Sequence, residues 1–174
     1  MASAHFHLKQ ALKFLHEIGT FGVMGSFAAL LVLVAHVNMD APVEYAAIRQ
    51  GIAQIAKWVL VPSLGIVLVT GLASIAAHRP FMEQRWVWFK ALLGITMFEG
   101  TMAAVSNAQR GAELAKKVAA GEADMSVMAD IIRAERMGAY TILTLCIINV
   151  VLAVWRPRLK WKVAEAPRSA SAKD

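Results

Sequence analysis

Three runs of almost unbroken apolar residues decide what this chain can become: "IGTFGVMGSFAALLVLVAHV" (18–37), "VLVPSLGIVLVTGLASIAA" (59–77) and "MGAYTILTLCIINVVLAVW" (137–155). Each is close to the ~20 residues a helix needs to cross about 30 Å of hydrocarbon. A fourth run, beginning "WVWFKALLGITMFEGTMAAV" and covering 86–106, has the right length but contains Lys90 and Glu99; it too is read as a span. Residues 1–158 are therefore expected to form an all-α integral membrane four-helix bundle, with a basic tail over 159–174. Composition agrees, since 58% hydrophobic residues in 174 is too apolar for an ordinary soluble domain.

Lys9 and Lys13 precede the first run as they would in a secretory signal. The run exceeds the usual 7–15-residue signal core and no clear small-residue cleavage site follows it, so it is read as a retained helix. The single cysteine, Cys146, lies in the last run, which excludes an internal disulfide and a cysteine-rich metal site.

Four spans place both termini on one side. Ten Lys and Arg fall on that side, including Arg156, Arg158, Lys160 and Lys162 just after the last run, against seven on the other side matched by seven acids. Basic residues near span ends predict cytoplasmic termini. The sequence pI near 9.8 then points to anionic lipid headgroups rather than nucleic acid, with Trp155 and Trp161 of "WRPRLKWK" as interfacial anchors.

The connections predict further helix. Residues 106–136 contain "AQRGAELAKKVAA" and "MSVMADIIRAER" separated by "GEAD". Gly121 is placed to end one arm, and Asp124 or Ser126 to cap the next. The expected result is a helical hairpin extending spans three and four by about 18 Å at 1.5 Å per residue. "PVEYAAIRQGIAQIAKW" (42–58) reads as a helical approach to span two opening on Pro42, with Pro62 offering a kink.

Ionisable groups within spans are costly, which makes them functional candidates. His16 and Glu17 lie at one boundary of the first span; Lys90 lies four residues into the third from the same side, and His78 and Asn149 approach that leaflet from the second and fourth. All four helices can thus bring a polar group to one site on the cytoplasmic side. Neutral imidazole suits haem iron or copper because it brings a lone pair without a charge, and His16 is the leading ligand; hydration at the boundary is the alternative. Lys90 either neutralises a carboxylate of a bound group or snorkels to the interface. Glu99, near midplane, is either a proton or cation relay or a neutral acid hydrogen-bonded between helices. His36 is some 30 Å from His16 along a straight helix, so the two cannot share a metal. Met24 and Met97 are better read as packing than as copper ligands. Gly19, Gly22 and Gly25, with Gly94 and Gly100, allow either close helix approach or space for a flat cofactor.

"LKFLHEIG", "VPSLGIVLVTGL", "RWVWFKALLGI" and "RAERMGAYTILTLCIINVVLAVWRP" together resemble, in order, the signatures of the superfamily of HemJ-type protoporphyrinogen IX oxidases and CopD-type copper-resistance proteins. The chain looks like a divergent relative within it. The resemblance implies bound haem b, with His16 as axial ligand and Lys90 as partner of haem or porphyrin carboxylates, and an electron-transfer or porphyrin-linked redox role as a membrane oxidoreductase. Lys90 and Glu99 are then the catalytic candidates, and His16, Lys90, His78 and Asn149 the cofactor-binding ones. Two other readings stand beside it: CopD-like copper transport or handling, and a cofactor-free accessory subunit of a larger membrane complex. A homo-oligomer is compatible with each.

Overall fold

The computed structural model describes residues 2–36, 38, 40–76 and 85–155. Four helices account for nearly all of them: α1 (Ala2–His36), α2 (Pro42–Ala76), α3 (Arg85–Ala119) and α4 (Ala129–Trp155). No strand occurs among the described residues, and the all-α architecture is the expected one. His78 and the tail over 159–174 lie outside them.

Three segments, His7–His36, Pro42–Ala76 and Met125–Trp155, are long and apolar enough to cross a membrane. α3 does not join them, because Lys90 and Glu99 interrupt its apolar part and its last third is charged. Its contacts nevertheless set it alongside the apolar part of α4. A Cβ on Gly100 would stand 2.7 Å from Ile142 Cδ1, and Asn149 Nδ2 donates to Met97 Sδ at 4.0 Å. The outside of the bundle carries large apolar side chains, Phe21, Val69, Leu72, Leu92 and Val154 among them. So continuous an apolar exterior marks a surface that meets lipid or protein rather than water.

Buried positions follow heptad-like steps of three and four. On α3 the inward stripe is Thr101, Ala104, Ala108, Gly111, Ala115 and Val118; on α4 it is Ile132, Glu135, Ala139, Ile142 and Cys146. The small residues of α3 let its neighbours approach closely. α2 begins with the same rhythm, Tyr45, Arg49, Ile52 and Ala56, and then continues at Leu60 and Leu64, one residue out of step. The reason is a π-helical turn over Ala56–Leu60, closed by Val61 N–H donating to Ala56 O. Pro62 follows directly. It has no N–H to give, and its ring would crowd the carbonyl four residues back, so the widened turn relieves both problems. The expected kink at Pro62 thus takes the form of one inserted residue. α2 packs mainly on α3 before it and mainly on α1 after it.

α1 and α2 run antiparallel at close range. A Cβ on Gly19 would sit 2.9 Å from Ser63 O, and one on Gly22 would overlap the Ser63 side chain. These glycines serve helix approach. Gly25 and Gly94 have open space instead.

The hairpin forms as expected. Gly121, at φ 76°, ends α3, with its N–H donating to Val118 O and that of Glu122 to Lys117 O, the paired bonds of a Schellman cap. Asp124 caps a 3₁₀ turn over Met125–Met128 that leads into α4, its carboxylate accepting from Ser126 N at 2.8 Å. That bond holds the Asp124 carboxyl below its ordinary range. A depressed carboxylate stabilises the fold above its unfolded pKa, about 3.9, and loses that contribution as pH falls through the lower folded value. Comparing Asp124→Ala with wild type by thermal melting at pH 7 and in strong acid should show a difference at pH 7 that closes as the cap protonates. An unchanged gap would count against the cap. Pro42–Ile55 of α2 lies against the outer part of α3, so the hairpin extension holds three helices rather than two.

Candidate functional site

His16 turns inward onto α2. Its Nδ1 lies 3.1 Å from Val67 O and 3.1 Å from Thr70 Oγ1. A carbonyl oxygen can only accept, so Nδ1 carries the hydrogen. The Thr70 hydroxyl already donates to Ile66 O at 2.5 Å, which leaves its lone pair to share that proton. In the neutral ring this fixes Nε2 as the unprotonated nitrogen, the arrangement usual in metal-ligating histidines. The ring lies over Gly71, where a Cβ would make an ordinary contact 3.4 Å from His16 Cε1. Half-buried and doubly anchored, His16 is a fixed group inside the helix interface rather than a hydrated boundary residue.

Glu17 faces the opposite way. It pairs with Lys13 at 3.8 Å on the exposed side of α1, and an exposed pair of this spacing contributes about 0.3–0.5 kcal/mol.

Lys90 stands at the same level as His16. Arg49 meets α3 at Gly111; 21 residues on along α2 is Thr70, and 21 back along antiparallel α3 is Lys90. An open apolar groove of about 410 Å³ lies on the α1–α2 surface, lined by Leu15, Pro62, Gly65, Ile66, Val69 and Thr70. Thr70 therefore touches both the imidazole and the groove.

The remaining candidates separate. Asn149 bonds to Met97, seven residues past Lys90 and about 10 Å deeper in the bundle. Glu99 faces outward, and no hydrogen bond from it to another helix occurs among the described residues. His36 bonds to Val32 O on its own helix at 2.9 Å, exposed at the far end of α1. His78 is outside the described residues. Of the described polar groups expected to converge, His16 and Lys90 share a level by helix rise, and Thr70 bonds to the imidazole. No three His, Cys, Asp or Glu side chains gather at metal-binding distance among the described residues.

A second polar centre was not anticipated. Arg49 and Glu135 form a bidentate pair, Nη1 to Oε2 at 2.6 Å and Nη2 to Oε1 at 2.7 Å, with side chains 1% and 0% exposed. Gly111 of α3 makes room for the guanidinium, which a Cβ would overlap. Tyr45, one turn before Arg49, is buried beside the pair. Charge counting places Arg49 and Glu135 only among the balanced charges on the side opposite the termini. The signal that reveals them is periodicity, since each occupies a position in an otherwise apolar or small inward stripe.

No protein-family model, curated protein or solved structure matches the chain.

Proposed function

We propose that this is a haem b-binding membrane protein with an electron-transfer or porphyrin-linked redox role, with its termini on the cytoplasmic face of a bacterial-type inner membrane. The observation that carries the reading is the anchored His16 ring, whose Nδ1–H is committed to Val67 O and Thr70 Oγ1. Nε2 is thereby left as a neutral donor for iron, and the hydrogen bond at Nδ1 raises its basicity. Lys90 supplies a cation at the same level for a propionate or a porphyrin carboxylate. The groove beside Thr70 offers apolar walls for a flat macrocycle.

Bound haem would supply one-electron transfer. The protein's share is to hold the ring nitrogen in one tautomer, to balance carboxylate charge and to exclude water with Leu15, Ile66 and Val69. The resemblance to HemJ-type proteins points the same way at His16 and Lys90.

The test is an absorption spectrum of protein made with haem-precursor supplementation and purified in mild detergent. A Soret band is expected, and His16→Ala should remove it or shift it strongly. Thr70→Val, which keeps the fold but takes away one partner of Nδ1, should weaken haem binding by about tenfold. Folded protein with no Soret band ends the haem reading, and a band indifferent to His16→Ala ends the assignment of the ligand.

A further inference from the structure

We propose that the outward face of α3 is a self-association surface, through which two copies pair in parallel about an axis normal to the membrane, with Glu99 at its centre. Glu99 is exposed on the bundle exterior. Its depth follows from its neighbours on the same helix: Gly100 abuts Ile142 and Met97 receives Asn149, so Glu99 stands level with the middle of the apolar run of α4. A carboxyl facing hydrocarbon costs several kcal/mol even when local water relieves it. No described residue of this chain covers it.

The same face says what does. Thr96, Glu99, Ala103, Ser106, Arg110 and Glu113 follow one another by steps of three and four, and all are exposed. This is the spacing of a coiled-coil seam. Within the membrane its members other than Glu99 are small or hydroxylated, which permits close approach of two helices. Two Glu99 side chains meeting across the axis take each other out of contact with hydrocarbon. In the arm beyond, Arg110 of each copy lies one layer from Glu113 of the other, so the seam is complementary to itself. Both copies insert in the same direction, which makes the parallel arrangement the available one and brings the two charged arms side by side. A lipid surface would satisfy neither the carboxyl nor the arm. The pairing does not depend on any cofactor.

Disulfide cross-linking in intact membranes tests this. Ala103→Cys should give a disulfide-linked species of twice the chain mass on mild oxidation, while Val69→Cys, exposed on α2, should give little. Wild type, with Cys146 buried, sets the background. In mild detergent the dissociation constant of the dimer should rise about tenfold in Glu99→Leu and stay near wild type in Glu99→Gln, which can still hydrogen-bond. Thermal melting of Glu99→Leu in excess detergent, where the chain is monomeric, should match wild type because the residue contacts nothing within the chain. Three outcomes overturn the proposal: no dimer from Ala103→Cys, equal cross-linking from Val69→Cys, or cross-linking only to a different protein. An undiminished dimer in Glu99→Leu overturns the role of the carboxyl and with it the proposal.

Discussion

Replacing Glu135 with alanine should lower the stability of the bundle by about 3–5 kcal/mol, the cost of leaving one member of a buried pair uncompensated. Arg49 would keep a full charge in a core where its side chain is 1% exposed, and its Nε has no protein partner among the described residues even now. An arginine cannot escape burial by losing a proton. Arg49→Ala should cost a similar amount. The informative variant is the double replacement, Arg49→Met with Glu135→Leu. It removes both charges, and buried pairs exchanged for apolar residues are often neutral or stabilising. Unfolding by denaturant in a fixed detergent would show two strongly destabilised single variants and a double variant near wild type. A Glu135→Ala loss under 1 kcal/mol would mean that water reaches the pair.

Gly111→Ala carries the second large effect, and its sign is the test. Alanine favours a helix over glycine by about 1 kcal/mol, so an unremarkable helical glycine would gain stability on replacement. Here the new methyl overlaps the guanidinium of Arg49, which two short bonds hold in place. The variant should lose about 1–3 kcal/mol from overpacking, and more if the pair is forced apart. In an Arg49→Ala background the obstacle is gone and the propensity gain should reappear. A double-mutant cycle therefore predicts strong coupling between positions that share no hydrogen bond. Gly111→Ala raising stability in the wild-type background would refute the packing.

Some of this architecture was legible in the residues and some was not. The apolar runs, the helical hairpin with its Gly121 stop and Asp124 cap, and the opening of α2 on Pro42 follow from local rules that act over a few residues. The level shared by His16 and Lys90 was also readable, because helix rise converts residue count into depth. What depth counting cannot supply is direction around the helix. Asn149 and Glu99 lie where counting put them, yet Asn149 turns to Met97 and Glu99 turns outward. Arg49 and Glu135 were hidden for a related reason. Each looks like a solvated charge in a list, and only the three-and-four rhythm of its helix sets it in the core. Thr70 was overlooked because a hydroxyl in an apolar helix usually bonds to its own backbone; it does so here, to Ile66 O, and serves His16 with the lone pair left over.

The π turn in α2 is a winding defect with a distant effect. Deleting one residue between 57 and 60 would restore regular winding and rotate everything beyond by about 100° with a shift of 1.5 Å. Arg49 would still face Glu135, but Val67 and Thr70 would swing off His16 and Ser63 would leave Gly22. The orientation of the imidazole is thus geared to a single surplus residue about 15 Å away along the same helix. The His16 contacts and the Arg49–Glu135 pair are held in angular phase by the π turn of α2.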